Sequence, residues 1–143
     1  MEIIYKPFSE LSSSELEDVL RLRQNVFIIE QNCFYEDIDG FDEKANHLLF
    51  YEGNKLAAYL RLFPKGSKLD DEISLGRIVV DPEFRGIGLG PVLIKKGIQL
   101  SEGEPIRIEA QAALTKYYNE LGFTEEGEVY VVDGIDHIQM TLT

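Results

Sequence analysis

Arg85-Gly86-Ile87-Gly88-Leu89-Gly90 follows the β-branched run Ile78-Val79-Val80 and a turn signal at Asp81-Pro82, and it precedes a helical pattern. A glycine-rich turn between a strand and a helix leaves several backbone N–H groups unobstructed. The helix N-terminus adds a positive partial charge, so the stretch suits a phosphate or pyrophosphate. The arginine at its entrance strengthens that reading.

Working outward, the turn sits within a βαβ pattern. Glu72–Val80 reads as the strand before it and Gly88–Ser101 as the helix after it. Pro91 falls in the first turn of that helix, where its missing N–H is not needed. Leu89, Leu93, Gly97 and Leu100 form one helical stripe, and mid-helix Gly97 implies close packing on a sheet. Ile106–Gln111 is the next strand, and Ala113–Leu121 is a short helix stopped by Gly122. Phe123–Val132 and Ile135–Thr143 form a hairpin around Asp133-Gly134. On the N-terminal side, His47–Glu52 and Lys55–Phe63 are strands joined by Gly53-Asn54. Glu2–Lys6 is a first strand, and Ser12 with Glu15 makes a capping box for a helix from about Ser13 to Glu30. Gln31–Asn46 is a long polar loop, expected to act as a lid on the substrate side. The order predicts an α/β fold with one mixed sheet and helices on both faces.

Composition sets bounds. A chain of 143 residues predicts one domain, residues 1–143, with a real core. No apolar run is long enough to span a bilayer, and Met1–Lys6 lacks the layout of a signal peptide. The single cysteine, Cys33, excludes an intrachain disulfide and reads as a small buried hydrophobe, so a cytoplasmic location is expected. The net charge of −12 and the lack of a basic stripe argue against nucleic acid as a partner. Arg77, Arg85, Lys95 and Lys96 are expected to make the turn locally positive.

Three phosphate motifs compete for the turn. A Walker loop needs Gly-Lys-Ser/Thr after its glycines, but Leu89-Gly90-Pro91 stands there. A dinucleotide fingerprint needs a different glycine spacing and an acid at the end of the next strand. Arg85-x-x-Gly88-x-Gly90 instead resembles the acyl-CoA pyrophosphate motif of the GNAT N-acetyltransferase superfamily. Tyr118-Asn119-Glu120-Leu121-Gly122-Phe123 resembles that family's Tyr-x-x-x-Gly-Phe signature, one strand and one helix downstream. Leu22–Phe27, Glu30–Cys33, Asp37–Gly40, Ala110-Gln111 and Asp133–Ile138 are similar to its ElaA-like branch.

The resemblance implies a mostly antiparallel sheet splayed where the strand Ser74–Val80 leaves Ile106–Gln111. Acetyl-CoA would lie in the gap, its pantetheine arm pairing with Ile78, Val79 and Val80. Its pyrophosphate would sit on N–H groups of Arg85, Gly86, Ile87, Gly88, Leu89 and Gly90. Tyr118 matches the family's acid for the CoA sulfur, and Asn119 in the same signature is placed with the cofactor contacts. Tyr117 competes with Tyr118, since adjacent helical residues point about 100° apart. The acceptor would be a primary amine in a small molecule or a peptide. Glu109 leads as its base because its strand borders the acyl site; Glu72, His47 and His137 stay open. Gln111 stands near the place where many family members carry Asn. The acidic segment Glu36–Glu43 and the first helix are expected to line the acceptor pocket.

No metal is expected. Asp37-Ile38-Asp39-Gly40 fails as a calcium loop, since an EF-hand register with Gly40 sixth puts Tyr35 first and Asn46 twelfth. The expected protein is a monomer or homodimer with no membrane partner. Two other readings stay open: a catalytically silent acyl-CoA-binding module, and a structural protein that dimerises through its edge strands.

Overall fold

Alternating apolar and polar residues lay down the later strands, and continuous apolar runs the earlier ones, in the computed structural model, which describes residues 1–143. β1 (Glu2–Pro7), β2 (Asn46–Glu52), β3 (Lys55–Phe63), β4 (Ile73–Val80), β5 (Ile106–Gln111), β6 (Thr124–Val132) and β7 (Ile135–Leu142) form one sheet in the order β1-β2-β3-β4-β5-β7-β6. Every neighbouring pair is antiparallel except β4 with β5. β2 and β3 are central, so they read as nearly continuous apolar runs and are buried almost throughout.

Three helices cover the two faces. α1 (Ser13–Arg23) starts at the expected capping box: Ser12 Oγ accepts from the Glu15 amide, and the Glu15 carboxylate accepts from the Ser12 amide. The α-helix stops at Arg23, earlier than the expected Glu30, and the chain continues as a π-helical segment, Gln24–Glu30. Wider turns of this kind recur at functional sites because they re-aim side chains. α2 (Leu89–Leu100) and α3 (Thr115–Glu120) pack on the opposite face. Gly97 bears out the close approach: a Cβ there would lie 3.2 Å from Leu60 Cδ2 and 3.3 Å from Leu75 Cδ1.

The sheet thereby divides the core in two. Leu60, Leu75, Leu93, Ile94, Ile108 and Phe123 belong to the larger cluster under α2 and α3. Val19, Leu22, Val26, Leu49, Tyr59 and Val79 form the smaller one under α1.

β4 is the irregular strand. Tyr59 pairs with Val79 and Arg61 with Gly76, so β4 carries one residue more than β3 there. The extra residue is absorbed at Arg77, whose φ of +49° is unusual for a side chain with a Cβ. β4 and β5 pair only at Ile73 with Ile106 and Ser74 with Arg107, and then separate. The splay expected from the resemblance is therefore present, and it begins just before the bulge.

Candidate active site

Two clefts open where β4 leaves β5. The first, about 370 Å³, lies on the α2–α3 face between the glycine turn, α3 and the Ile78–Val80 edge. The second, about 300 Å³, lies between the π-helical segment, the loop after it, β5 and the β6–β7 hairpin. Ile78, Val79, Val80, Arg85, Leu114 and Tyr118 line both.

The glycine turn has the properties its sequence announced. Gly86 and Gly88 sit at φ +82° and +79°, and a Cβ on either would meet nothing within 4 Å. The amides from Gly86 through Gly90 donate to no other group of the protein. Such a row of unused donors at a helix N-terminus is an anion cradle. Gly90 allows a close approach of another kind: a Cβ there would sit 2.8 Å from the Tyr117 hydroxyl. Ile87 projects away and is 70% exposed. Gly88→Ala forces a left-handed backbone on a residue with a Cβ, at a cost of about 1–2 kcal/mol. That change is expected to lower Tm by about 3–6 °C in a scanning melt, and to raise KM for acyl-CoA about tenfold, with kcat changing less.

Arg85, expected to add positive charge to the turn, is ion-paired. Its guanidinium holds the Glu30 carboxylate at 2.6 and 2.8 Å, and its Nε donates to the Val80 carbonyl at 3.1 Å. The π-helical segment is thus tied to the glycine turn across the mouth of the clefts. Arg77 lies on the other side of the sheet from the turn's helix and is paired with Asp37 and Asp39.

Tyr118 is almost wholly buried, its ring edge-on to Phe123 at 5.9 Å and to Tyr117 at 5.3 Å. Burial, with Tyr117 beside it, pushes its phenol well above the ordinary tyrosine range. It therefore keeps its proton at neutral pH and has one to give. Tyr117 lines the first cleft only. Asn119, expected among the cofactor contacts, lines neither cleft. Its amide donates to the Phe123 carbonyl at 2.9 Å and to the Glu125 carboxylate at 2.6 Å, which ties the end of α3 to β6.

The four base candidates separate cleanly. Glu72 pairs with Arg107 where β4 and β5 are still joined, away from both clefts. His47 is fully buried, its Nε2 donating to the Asp42 carbonyl and its Nδ1 accepting from the Tyr59 hydroxyl; burial lowers its pKa and keeps it neutral. Glu109 and His137 both line the second cleft. Glu109 is exposed and accepts from the Tyr130 hydroxyl at 2.6 Å, and Gln139 donates to the same hydroxyl. Gln111 lines the same wall and pairs with His137 across the β5–β7 ladder.

The acidic segment does other work than the sequence suggested. Asp42 Oδ1 accepts from Arg23 Nη1 and from Arg61 Nη1, each at 2.8 Å. Asp37 accepts from Arg23 Nε at 2.9 Å, and Asp39 pairs with Arg61. Arg23 and Arg61 are buried at 0% and 2% exposure, so these carboxylates neutralise interior cations, while exposed Glu36 lines a separate groove with Glu17 of α1. Burial alone would raise the Asp39 carboxyl, but the Arg61 hydrogen bond, the Phe41 amide and the charges of Arg61 and Arg77 hold it well below the carboxylate range. The loop pinned in this way sends Gln31, Cys33 and Tyr35 over the second cleft instead. Cys33 is buried as expected, with its Sγ against the carbonyls of Gln31 and Asp133. No His, Cys, Asp or Glu cluster fit for a metal occurs, and no helix is long and apolar enough to cross a membrane.

A family profile described as an acetyltransferase (GNAT) domain matches residues 11–143. Protein ElaA of Escherichia coli is 38% identical over 138 residues, spanning 92% of this chain and 90% of that one. Its crystal structure superposes with a TM-score of 0.93 over the whole of both chains, at 36% identity. The crystal structure of an acyl-CoA N-acyltransferase from Pseudomonas aeruginosa superposes with a TM-score of 0.95, also over the whole of both chains, at 34% identity.

Proposed function

The chain belongs to the GNAT acetyltransferase family, and from that premise we propose that it moves an acetyl group from acetyl-CoA to a primary amine by direct transfer in a ternary complex. The observation that carries the reading is the parting of β4 from β5, with unused amides at one end and Tyr118 where two clefts meet. The β4 edge beyond Ser74 has no strand partner on that side, so an amide-bearing arm can add to it as a peptide would. The cradle from Gly86 to Gly90 then takes the pyrophosphate. Donor and acceptor enter from opposite faces of the sheet and meet at Tyr118.

The chemistry follows from that placement. A neutral amine attacks the thioester carbon, and the backbone N–H near Val79 stabilises the oxyanion that develops. Tyr118 protonates the departing sulfur. A base on the acceptor wall, where Glu109 and His137 stand, first removes the ammonium proton. No step calls for a metal. The reading includes a cytoplasmic monomer or homodimer, in keeping with a chain whose one cysteine, Cys33, is free and buried. It includes no nucleic-acid partner, which the charge of −12 supports.

The test is thiol release from acetyl-CoA against a panel of small primary amines and peptides, with the product identified by mass. Release matched by N-acetylated product is the expected result. CoA binding without release across the panel would assign a silent binding module, and no CoA binding would remove the role given to the glycine turn.

A further inference from the structure

We propose that His137 is the base that deprotonates the acceptor, an inference that rests on the acyl-transfer reading above. Its Nδ1 lies 2.7 Å from the Ile135 carbonyl. A carbonyl oxygen only accepts, so Nδ1 carries the proton. The lone pair of the neutral ring is therefore on Nε2, which has no partner within the protein. Here a hydrogen bond on one ring nitrogen sets the role of the other. The ring is half-buried, stacks on Tyr130 at 30° with 6.4 Å between centroids, and lines the second cleft together with Tyr118.

The rest of the wall complements this role. β5 and β7 present Glu109, Gln111, His137 and Gln139 on one face, because Gln111 is opposite His137 and Glu109 opposite Gln139. Glu109 is solvated and already accepts from Tyr130. The Tyr130 hydroxyl engages its carboxylate, whereas Nε2 of His137 is unpartnered. Glu109 therefore attracts the incoming ammonium, and His137 takes its proton. The other ionisable groups on this cleft are Asp133 of the hairpin turn, Arg77 of β4, Arg85 of the glycine turn, Tyr118 of α3, and Cys33 and Tyr35 of the roofing loop, with Asp136 next in sequence and Tyr130 of β6 against the ring.

The step balances. Nε2 accepts one proton from the ammonium, and the imidazolium later loses it to water. The amine nitrogen forms the C–N bond as the C–S bond breaks. The nitrogen's second proton replaces the one that Tyr118 gives to the sulfur. The products are an N-acetyl amide, the CoA thiol and one proton.

The test compares full-length wild type, His137→Gln and His137→Ala in the thiol-release assay from pH 5.5 to 9.5, a range spanning imidazole titration. His137→Gln is expected to lower kcat at neutral pH by about a hundredfold, with KM for acetyl-CoA and Tm little changed. The acid limb of its kcat profile should flatten, and added imidazole should restore part of the activity of His137→Ala. A variant that keeps the wild-type rate and acid limb overturns the proposal while the acyl-transfer reading stands. A loss of rate with an unchanged acid limb and no imidazole rescue also overturns it. Wild type that releases no thiol with any amine overturns both.

Discussion

Tyr118→Phe is expected to cut kcat for thiol release by about a hundredfold or more, with Tm and the KM for acetyl-CoA close to wild type. The split follows from what the residue touches. Its ring packs against Phe123 and Tyr117, and phenylalanine keeps those contacts. Its hydroxyl makes no hydrogen bond within the protein, so removing it strands no partner. What is lost is a protonated phenol at the meeting point of the two clefts. Without it the thiolate leaves unprotonated, and the loss falls on the chemical step. Initial rates at saturating acetyl-CoA, a melt of each protein and a CoA titration measure the three quantities. An unchanged kcat would reduce Tyr118 to a packing residue.

The second large effect is on stability. Asp42→Ala removes the one carboxylate oxygen shared by two buried guanidinium groups. Arg23 keeps Asp37 and Arg61 keeps Asp39, but two buried guanidinium groups each lose a carboxylate contact, at a cost of about 3–5 kcal/mol in all. For a chain of this size that is about 10–15 °C in Tm. Activity should fall too, since the same network holds the loop that roofs the second cleft. A smaller loss is expected from Asp37→Ala, because Asp37 serves only one fully buried guanidinium, Arg23, whereas Asp42 serves two.

The same network predicts the response to acid. Burial pulls the Asp42 carboxyl up, but its hydrogen bonds and charge contacts with Arg23 and Arg61 win and depress it. Asp39 is depressed likewise. A carboxyl depressed in the folded state stabilises it above the unfolded value, about pH 3.9, and that contribution is lost as pH falls further. His47, held neutral by burial, starts to oppose folding earlier, as the unfolded chain gains a proton below about pH 6.5. Tm should therefore decline gently below pH 6.5 and steeply below pH 4. In Asp42→Ala the steep part should shrink.

Much of this was legible in the chain. Strand periodicity, the capping box at Ser12, the hairpin signals and the glycine turn are local, and each formed where the residues call for it. The relation between the turn and Tyr118 was legible because both lie on one short βαβα run. The charged interior was not. Arg23 sits 14 residues before Asp37 and 19 before Asp42, and no periodic pattern relates a helical arginine to carboxylates in an irregular loop. Read singly, those residues are a solvated helix face and an acidic loop. The β4 bulge did carry a signal, since Gly76 within a strand marks such irregularities. The two histidines were equivalent in sequence. Only the packing separates His47, locked between Tyr59 and Asp42, from His137 on a cleft wall. Asn119 shows the limit of a motif, which locates a segment without orienting each side chain in it.

The sheet keeps the two clusters of packed side chains apart, and this has a consequence for how the protein can change. Free-energy effects of substitutions add when sites are distant and share no partners. Changes in the π-helical segment act on the cluster beneath α1, whereas the cradle rests on α2 and the cluster under it, which Ile138 and Met140 of β7 also join. Acceptor preference can then drift among descendants while the grip on the donor is inherited intact. Variants selected for a new acceptor should retain the parental affinity for CoA, except where they touch Glu30, whose carboxylate joins the two sides.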